Sequence, residues 1–192
     1  MILLGMASHG EVKCGTMLSI IGLKEVTPIQ VQVMVNIGCY IPLSRYRLAR
    51  YAVDNGASHL FFVDSDMVFP PNTLIRLLMT EKDIVGAAYY MRRQSERMTT
   101  VRVLNAAGEI EIPAEPPKEL TKVAAVGTGC MLISTAALKN IPQPWFNLPF
   151  EPTGELKQGE DTWFCEQARK AGYDIWCDPT LAVGHIGDYV YQ

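Results

Sequence analysis

The sequence carries no excess of basic charge: 17 lysines and arginines stand against 20 aspartates and glutamates, for a net charge of -3 and a pI near 5.6. No basic field is therefore present to hold a nucleic-acid backbone by counterion release, and nucleic acid is excluded as the expected partner. No apolar run approaches the length of about 20 residues that a bilayer-spanning helix needs. The apolar start, Met1 to Met6, is short and has neither a basic leader nor a cleavage pattern, so it is expected to form a first strand. Cysteine is scarce and unpaired. Cys14, Cys39, Cys130, Cys165 and Cys177 are odd in number, and no two have a metal-binding or redox spacing. Reduced, mostly buried thiols in a cytoplasmic protein are the natural expectation. Internal repeats and a dividing linker are also missing, so residues 1–192 are expected to fold as one domain.

What is present is ordinary globular material: 192 residues, 48% hydrophobic and 19% charged, enough to bury a core without disulfides or structural metals. Apolar runs of strand length alternate with segments of helical period, which predicts an α/β fold with a mostly parallel central sheet. Strands are expected at 2–7, 30–37, 59–63, 83–90, within the apolar run 123–133, and at 175–177. Helices are expected at 15–23, 44–55, from 70 onward, and at 160–171. Gly56 and Gly172 are the expected stops of two of them.

The chemistry is concentrated in a few places. Asp64-Ser65-Asp66 follows the fully apolar run Leu60 to Val63. In an extended segment residues two apart share a side, so Asp64 and Asp66 are expected to project together as a hard two-carboxylate site. Such oxygens suit Mg²⁺ or Mn²⁺, which keep other positions for water and phosphate. The position, at the carboxyl end of a strand, is where open α/β sheets bind ligands. The simpler reading is that both carboxylates only end the strand and cap a turn.

Glu160 and Asp161 open a helix. Acids there stabilise the helix dipole whatever the function, or one of them removes a proton from an attacking hydroxyl, with Asp161 the choice for that base. His185, between Gly184 and Gly187 after the apolar Leu181-Ala182-Val183, is expected to arrive on a strand at the sheet edge, as a further ligand or as a structural histidine. Arg45, Arg92 and Arg93 are candidate diphosphate contacts or plain surface charges. Gly127 and Gly129 weaken a strand and mark close approach by a ligand or by another backbone. Trp145 and Phe146 either stack on an acceptor sugar or seal a core edge, and Trp163 and Trp176 are expected in the core.

Taken in order, Ser44-Arg45 with Leu48-Ala49-Arg50, the stretch Gly56 to Met67, Asp83 to Gly86, Val126 to Gly129, Gly159-Glu160-Asp161 with Phe164-Cys165, and Gly184 to Gly187 resemble GT-A glycosyltransferases. The likeness is to the small family-2-like members found in bacteria and bacteriophages, and it covers nearly the whole chain. It implies a nucleotide-diphospho-sugar transferase domain that moves a sugar from a nucleotide-sugar donor, with a UDP-sugar expected, to a hydroxyl of a glycan, lipid or protein acceptor, with inversion. On this resemblance Asp64 contacts the ribose or base of the donor, with Ser65, Arg45, His9 and Gly127 on the donor side. Asp66 and His185 hold Mn²⁺ or Mg²⁺, Asp161 is the base, and Glu160 holds the acceptor or orients the helix. Two departures stand out: Ala7-Ser8-His9-Gly10 replaces a Pro-Thr type of turn, and Tyr46 stands where an asparagine often follows the arginine.

Two other classes compete. A phosphatase of the haloacid dehalogenase type also opens on an apolar strand followed by Asp-x-Asp, but it puts that motif on the first strand and needs a lysine in the crevice. A non-catalytic sugar-nucleotide or glycan-binding module would keep the fold and lose turnover.

Overall fold

The computed structural model describes residues 1–92 and 98–187; Arg93 lies outside the described residues. Strand β1 (Ile2–Ser8) leads to helix α1 (Cys14–Val26), β2 (Val31–Ile37), α2 (Ile41–Asp54) and β3 (His59–Val63). A short β4 (Met67–Val68), α3 (Thr73–Met79) and β5 (Ile84–Ala87) follow. Next come β6 (Val103–Leu104), β7 (Ile110–Glu111), β8 (Thr121–Val123), β9 (Cys130–Ser134) and α4 (Thr135–Asn140). The described chain closes with α5 (Glu160–Lys170), β10 (Ile175–Asp178) and β11 (Gly184–His185).

Seven strands form one mixed sheet in the order β2-β1-β3-β9-β5-β10-β8. Strands β2, β1, β3, β5 and β10 run one way, while β9 and β8 run against them. Both faces are covered, and the alternation of each strand sorts its side chains between two cores. Leu60 and Phe62 of β3 join Leu48, Ala49 and Ala52 of α2, Leu138 of α4 and Phe164 of α5. Phe61 and Val63 point the other way, to Ile20 and Leu23 of α1 and to Leu74 and Leu77 of α3. Phe61 and Phe62 are fully buried, each contributing about 1.5–3 kcal/mol of burial free energy. Among the described residues no helix is long and apolar enough to cross a membrane.

The structure departs from the sequence reading at three points that matter for the site. The apolar run 123–133 is not one strand. It splits into the end of β8, at the sheet edge, and β9, inserted antiparallel between β3 and β5, with a buried connection at 124–129. Helix α2 begins at Ile41 rather than 44, because Pro42 fits a first helical turn. Trp163 and Trp176 are only half-buried: the Trp163 indole Nε1–H donates to the Pro144 carbonyl, and Lys82 lies over the Trp176 ring. Trp145 and Phe146, by contrast, are core residues, with Phe146 stacked on Phe164.

Candidate functional site

The site grows out of the place where β3 stops. Asp64 and Asp66 do not share one side of an extended segment as expected. The chain turns at 64–66, and the Met67 N–H donates to the Asp64 carbonyl at 3.3 Å. The start of α1 pins the turn, because the Ser65 carbonyl accepts from the Lys13 N–H at 2.8 Å and from the Thr16 hydroxyl at 3.1 Å. Turning the backbone aims the two carboxylates at different partners while leaving both on one cavity.

Asp64 belongs to Arg45. Arg45 Nη2 donates to both carboxylate oxygens of Asp64, at 2.9 and 3.2 Å, and its Nε donates to Glu160 Oε1 at 3.1 Å. The guanidinium is only 5% exposed. Burial works against its charge, but Asp64 and Glu160 outweigh burial, so the guanidinium is held more firmly charged than a free arginine. Its Nη1 has no hydrogen-bond partner among the described residues. One buried cation thus ties the end of β3 to the start of α5, across 115 positions of sequence. Arg45→Met would leave two carboxylates facing each other without a counter-charge. Because both keep some solvent contact, we expect a loss of about 2–4 kcal/mol of stability in urea unfolding, near the low end for a broken buried ion pair. A variant as stable as the parent would show that this bridge does not hold the site together.

Asp66 has a basic partner on each oxygen: Oδ1 faces His185 Nε2 at 3.3 Å, and Oδ2 faces Arg92 Nη1 at 3.1 Å. Burial pushes the Asp66 carboxyl upward, but the hydrogen bond and charge of His185, with Arg92, outweigh it and hold it below the usual range. The hydrogen bond to Asp66 raises the imidazole of His185. His185 is not at the edge of the main sheet, where it was expected. It sits in a separate two-stranded ribbon in which β11 pairs with β4, His185 opposite Met67, and the Ile186 N–H donates to the Asp66 carbonyl at 2.8 Å. Gly184 makes the ribbon possible, since a Cβ there would lie 2.8 Å from Val68 Cγ2. His185 Nδ1 lies 3.1 Å from the Tyr90 carbonyl, which can only accept, so Nδ1 carries a proton and Nε2 is the nitrogen turned to Asp66.

These residues line a cavity of about 460 Å³, bounded by His9, Cys39, Arg45, Asp64, Ser65, Asp66, Arg92, Glu160 and His185, with Tyr40, Ile41, Pro42 and Leu148 as its apolar rim. That volume is in the range of small-ligand sites. It opens at the carboxyl ends of β1 and β3, where the chain crosses from one side of β1 to the other, the switch point at which such sheets bind ligands. Among the described residues no lysine lines it.

Asp161 and Gly127, both singled out from sequence, do not line this cavity. Asp161 sits in the first turn of α5, and its Oδ1 accepts from the Thr162 N–H at 2.6 Å. Its charge still acts on Arg45 and Tyr89. Gly127 is buried against the Tyr89 phenol, which fills the space a side chain would need, so the close approach expected there is made by a protein group. Tyr89 is the residue the sequence failed to single out. It is buried, its phenol accepts from the Gly129 N–H at 2.9 Å, and its ring meets His185 edge-on. Burial, then Asp64 and Asp161, push its hydroxyl well above the usual range. Its place at the end of the β5 segment was the available signal.

Asp66 and His185 fit a small divalent cation as a carboxylate and an oriented imidazole, leaving the remaining positions to water and phosphate oxygens. Among the described residues no group of three or more histidine, cysteine, aspartate or glutamate side chains is arranged to hold a metal, so any cation here would share its shell with the ligand. The buried cysteines add nothing reactive: burial pushes the Cys165 and Cys177 thiols up to about 12.

Sheet order, helices on both faces and a switch-point cavity define a GT-A-like Rossmann fold. Solved structures share it, two of them as follows. One is A197 from STIV, 18% identical, with a TM-score of 0.66 over 97% of this chain and 86% of that one. The other is GalNAc-T7 with UDP, GalNAc and Mn²⁺, 11% identical, with a TM-score of 0.62 over 97% of this chain. The chain spans 44% of the length of that second protein. No protein-family model and no curated protein sequence matches the chain.

Proposed function

We propose that the chain is a metal-dependent glycosyltransferase that moves a sugar from a nucleoside-diphosphate sugar, with UDP as the nucleotide, to an acceptor hydroxyl with inversion. The observation that carries this reading is the convergence of Asp64, Asp66, His185, Arg45 and Glu160 on one cavity at the switch point of the sheet. The co-structure of GalNAc-T7 with UDP, GalNAc and Mn²⁺ supports the same nucleotide and cation. A cytoplasmic location belongs to this proposal, and the acceptor is a hydroxyl of a glycan, lipid or protein.

In this reading Asp64, Ser65, Arg45 and His9 take the nucleoside end of the donor, and Gly127 acts on the site only through Tyr89, which packs against it and against His185. Asp66 and His185 hold Mn²⁺ or Mg²⁺ beside the diphosphate. Glu160, anchored by Arg45, orients the start of α5 toward the acceptor. The acceptor oxygen forms its bond to the anomeric carbon as the bond from that carbon to the diphosphate oxygen breaks. Asp161 takes the hydroxyl proton, and the electron pair leaves with the nucleoside diphosphate. The bound cation supplies Lewis-acid stabilisation of the departing diphosphate.

A phosphatase of the haloacid dehalogenase type would need the first aspartate as a free nucleophile. Here both Asp64 oxygens accept from Arg45. The deciding experiment is a screen of nucleotide sugars with Mn²⁺, Mg²⁺ or chelator, reading donor binding and nucleotide release separately. We expect binding of a UDP-sugar that chelator removes and Mn²⁺ restores. Donor binding indifferent to chelator would overturn the metal assignment, and release of inorganic phosphate from simple phosphomonoesters would favour the phosphatase.

A further inference from the structure

The two basic partners of Asp66 are held in very different ways. His185 is fixed at Nδ1 by the Tyr90 carbonyl and packs edge-on against Tyr89. Arg92 is 51% exposed, and among the described residues its ion pair is with Asp66 alone. Both belong to the wall of the same cavity. An exposed arginine gains little from one ion pair and moves at low cost. A divalent cation at Asp66 would repel a guanidinium 3.1 Å from the same carboxylate. A diphosphate entering with that cation would offer the planar arginine fork a better partner than a shared carboxylate.

We propose that Arg92 is a transferable counter-charge: it neutralises Asp66 while the donor site is empty and passes to the diphosphate when cation and nucleotide arrive. This rests on the glycosyltransferase reading of the site. Its consequence is an order of binding. The cation alone binds weakly because Arg92 holds its place, whereas cation and nucleoside diphosphate bind tightly together because the nucleotide removes Arg92 from Asp66.

The test is titration of the whole chain with Mn²⁺ alone, followed by the free-Mn²⁺ electron paramagnetic resonance signal, and with UDP at saturating Mn²⁺, followed by calorimetry. Arg92→Gln should bind Mn²⁺ alone about twofold to fivefold more tightly than the parent, the scale of one exposed ion pair. The same variant should bind UDP about tenfold or more weakly, the scale of a charge-assisted hydrogen bond. Arg92→Lys keeps the charge and should leave the affinity for Mn²⁺ alone near that of the parent. Unchanged affinity of Arg92→Gln for Mn²⁺ alone sinks the transfer, as does parallel weakening of both ligands, which is what a merely structural role gives. Failure of the parent chain to bind UDP with Mn²⁺ at all would instead remove the glycosyltransferase reading on which the proposal stands.

Discussion

Asp66→Ala is expected to weaken Mn²⁺-dependent binding of the UDP-sugar by about 100-fold or more, since even outer-shell partners of a metal ligand cost 10–100-fold when lost. The substitution removes the carboxylate that faces His185 and Arg92. It leaves the backbone around it intact, because the Asp66 carbonyl still accepts from the Ile186 N–H and the turn is still pinned through Ser65 by α1. The thermal unfolding transition should therefore remain cooperative. Calorimetric titration of donor in Mn²⁺ reads the effect directly. Donor affinity equal to that of the parent, in a folded variant, would mean that any cation is held elsewhere and that Asp66 only orders its two positive neighbours.

Asp161→Asn should do the opposite: spare donor binding and lower transfer by about 10²- to 10⁴-fold, the usual range for loss of a general base. Asparagine retains a side-chain oxygen able to accept from the Thr162 N–H, so the local helix start is preserved. The lost helix-dipole interaction costs only about 0.3–1 kcal/mol. Asp161 lies off the cavity wall, which is why donor affinity should be indifferent to it. The measurement is a paired one, donor titration beside acceptor-dependent release of UDP. Unimpaired turnover would move the base to another group, with Glu160 the first to examine. A parent chain that binds donor and never turns it over would be a binding module.

The framework was legible because its strands are runs of buried apolar residues. Leu60 to Val63 reads as a run of the fully buried kind, short enough for a strand covered on both faces, and its alternation between two cores follows from that. Insertion of β9 between β3 and β5 was not legible: Gly127-Thr128-Gly129 marks a weak point in the run 123–133, but periodicity does not reveal that the chain leaves a sheet edge there and re-enters at the centre. In the site, eight of the residues chosen from sequence line the cavity, namely His9, Arg45, Asp64, Ser65, Asp66, Arg92, Glu160 and His185. Their pairings were hidden. The turn at 64–66 sends Asp64 to Arg45 and Asp66 to His185, whereas an extended segment would have pointed both one way. That turn is made by hydrogen bonds from α1, contacts between residues about fifty positions apart that no local pattern records. Tyr89 escaped notice for the same reason, since its importance lies in what crosses it.

The ribbon of β4 and β11 has a consequence for how the molecule assembles. Beyond its side-chain contacts with Tyr89 and Tyr90, His185 reaches Asp66 on a backbone of two paired residues and one further bond, while the seven-stranded sheet stands on long ladders of its own. Contacts so few and so distant in sequence close late in folding and open first in local fluctuation, without disturbing the elements beneath them. The completed constellation is therefore expected to open and close on an already folded scaffold, and whatever bridges Asp66 and His185 would hold the 184–186 segment in place.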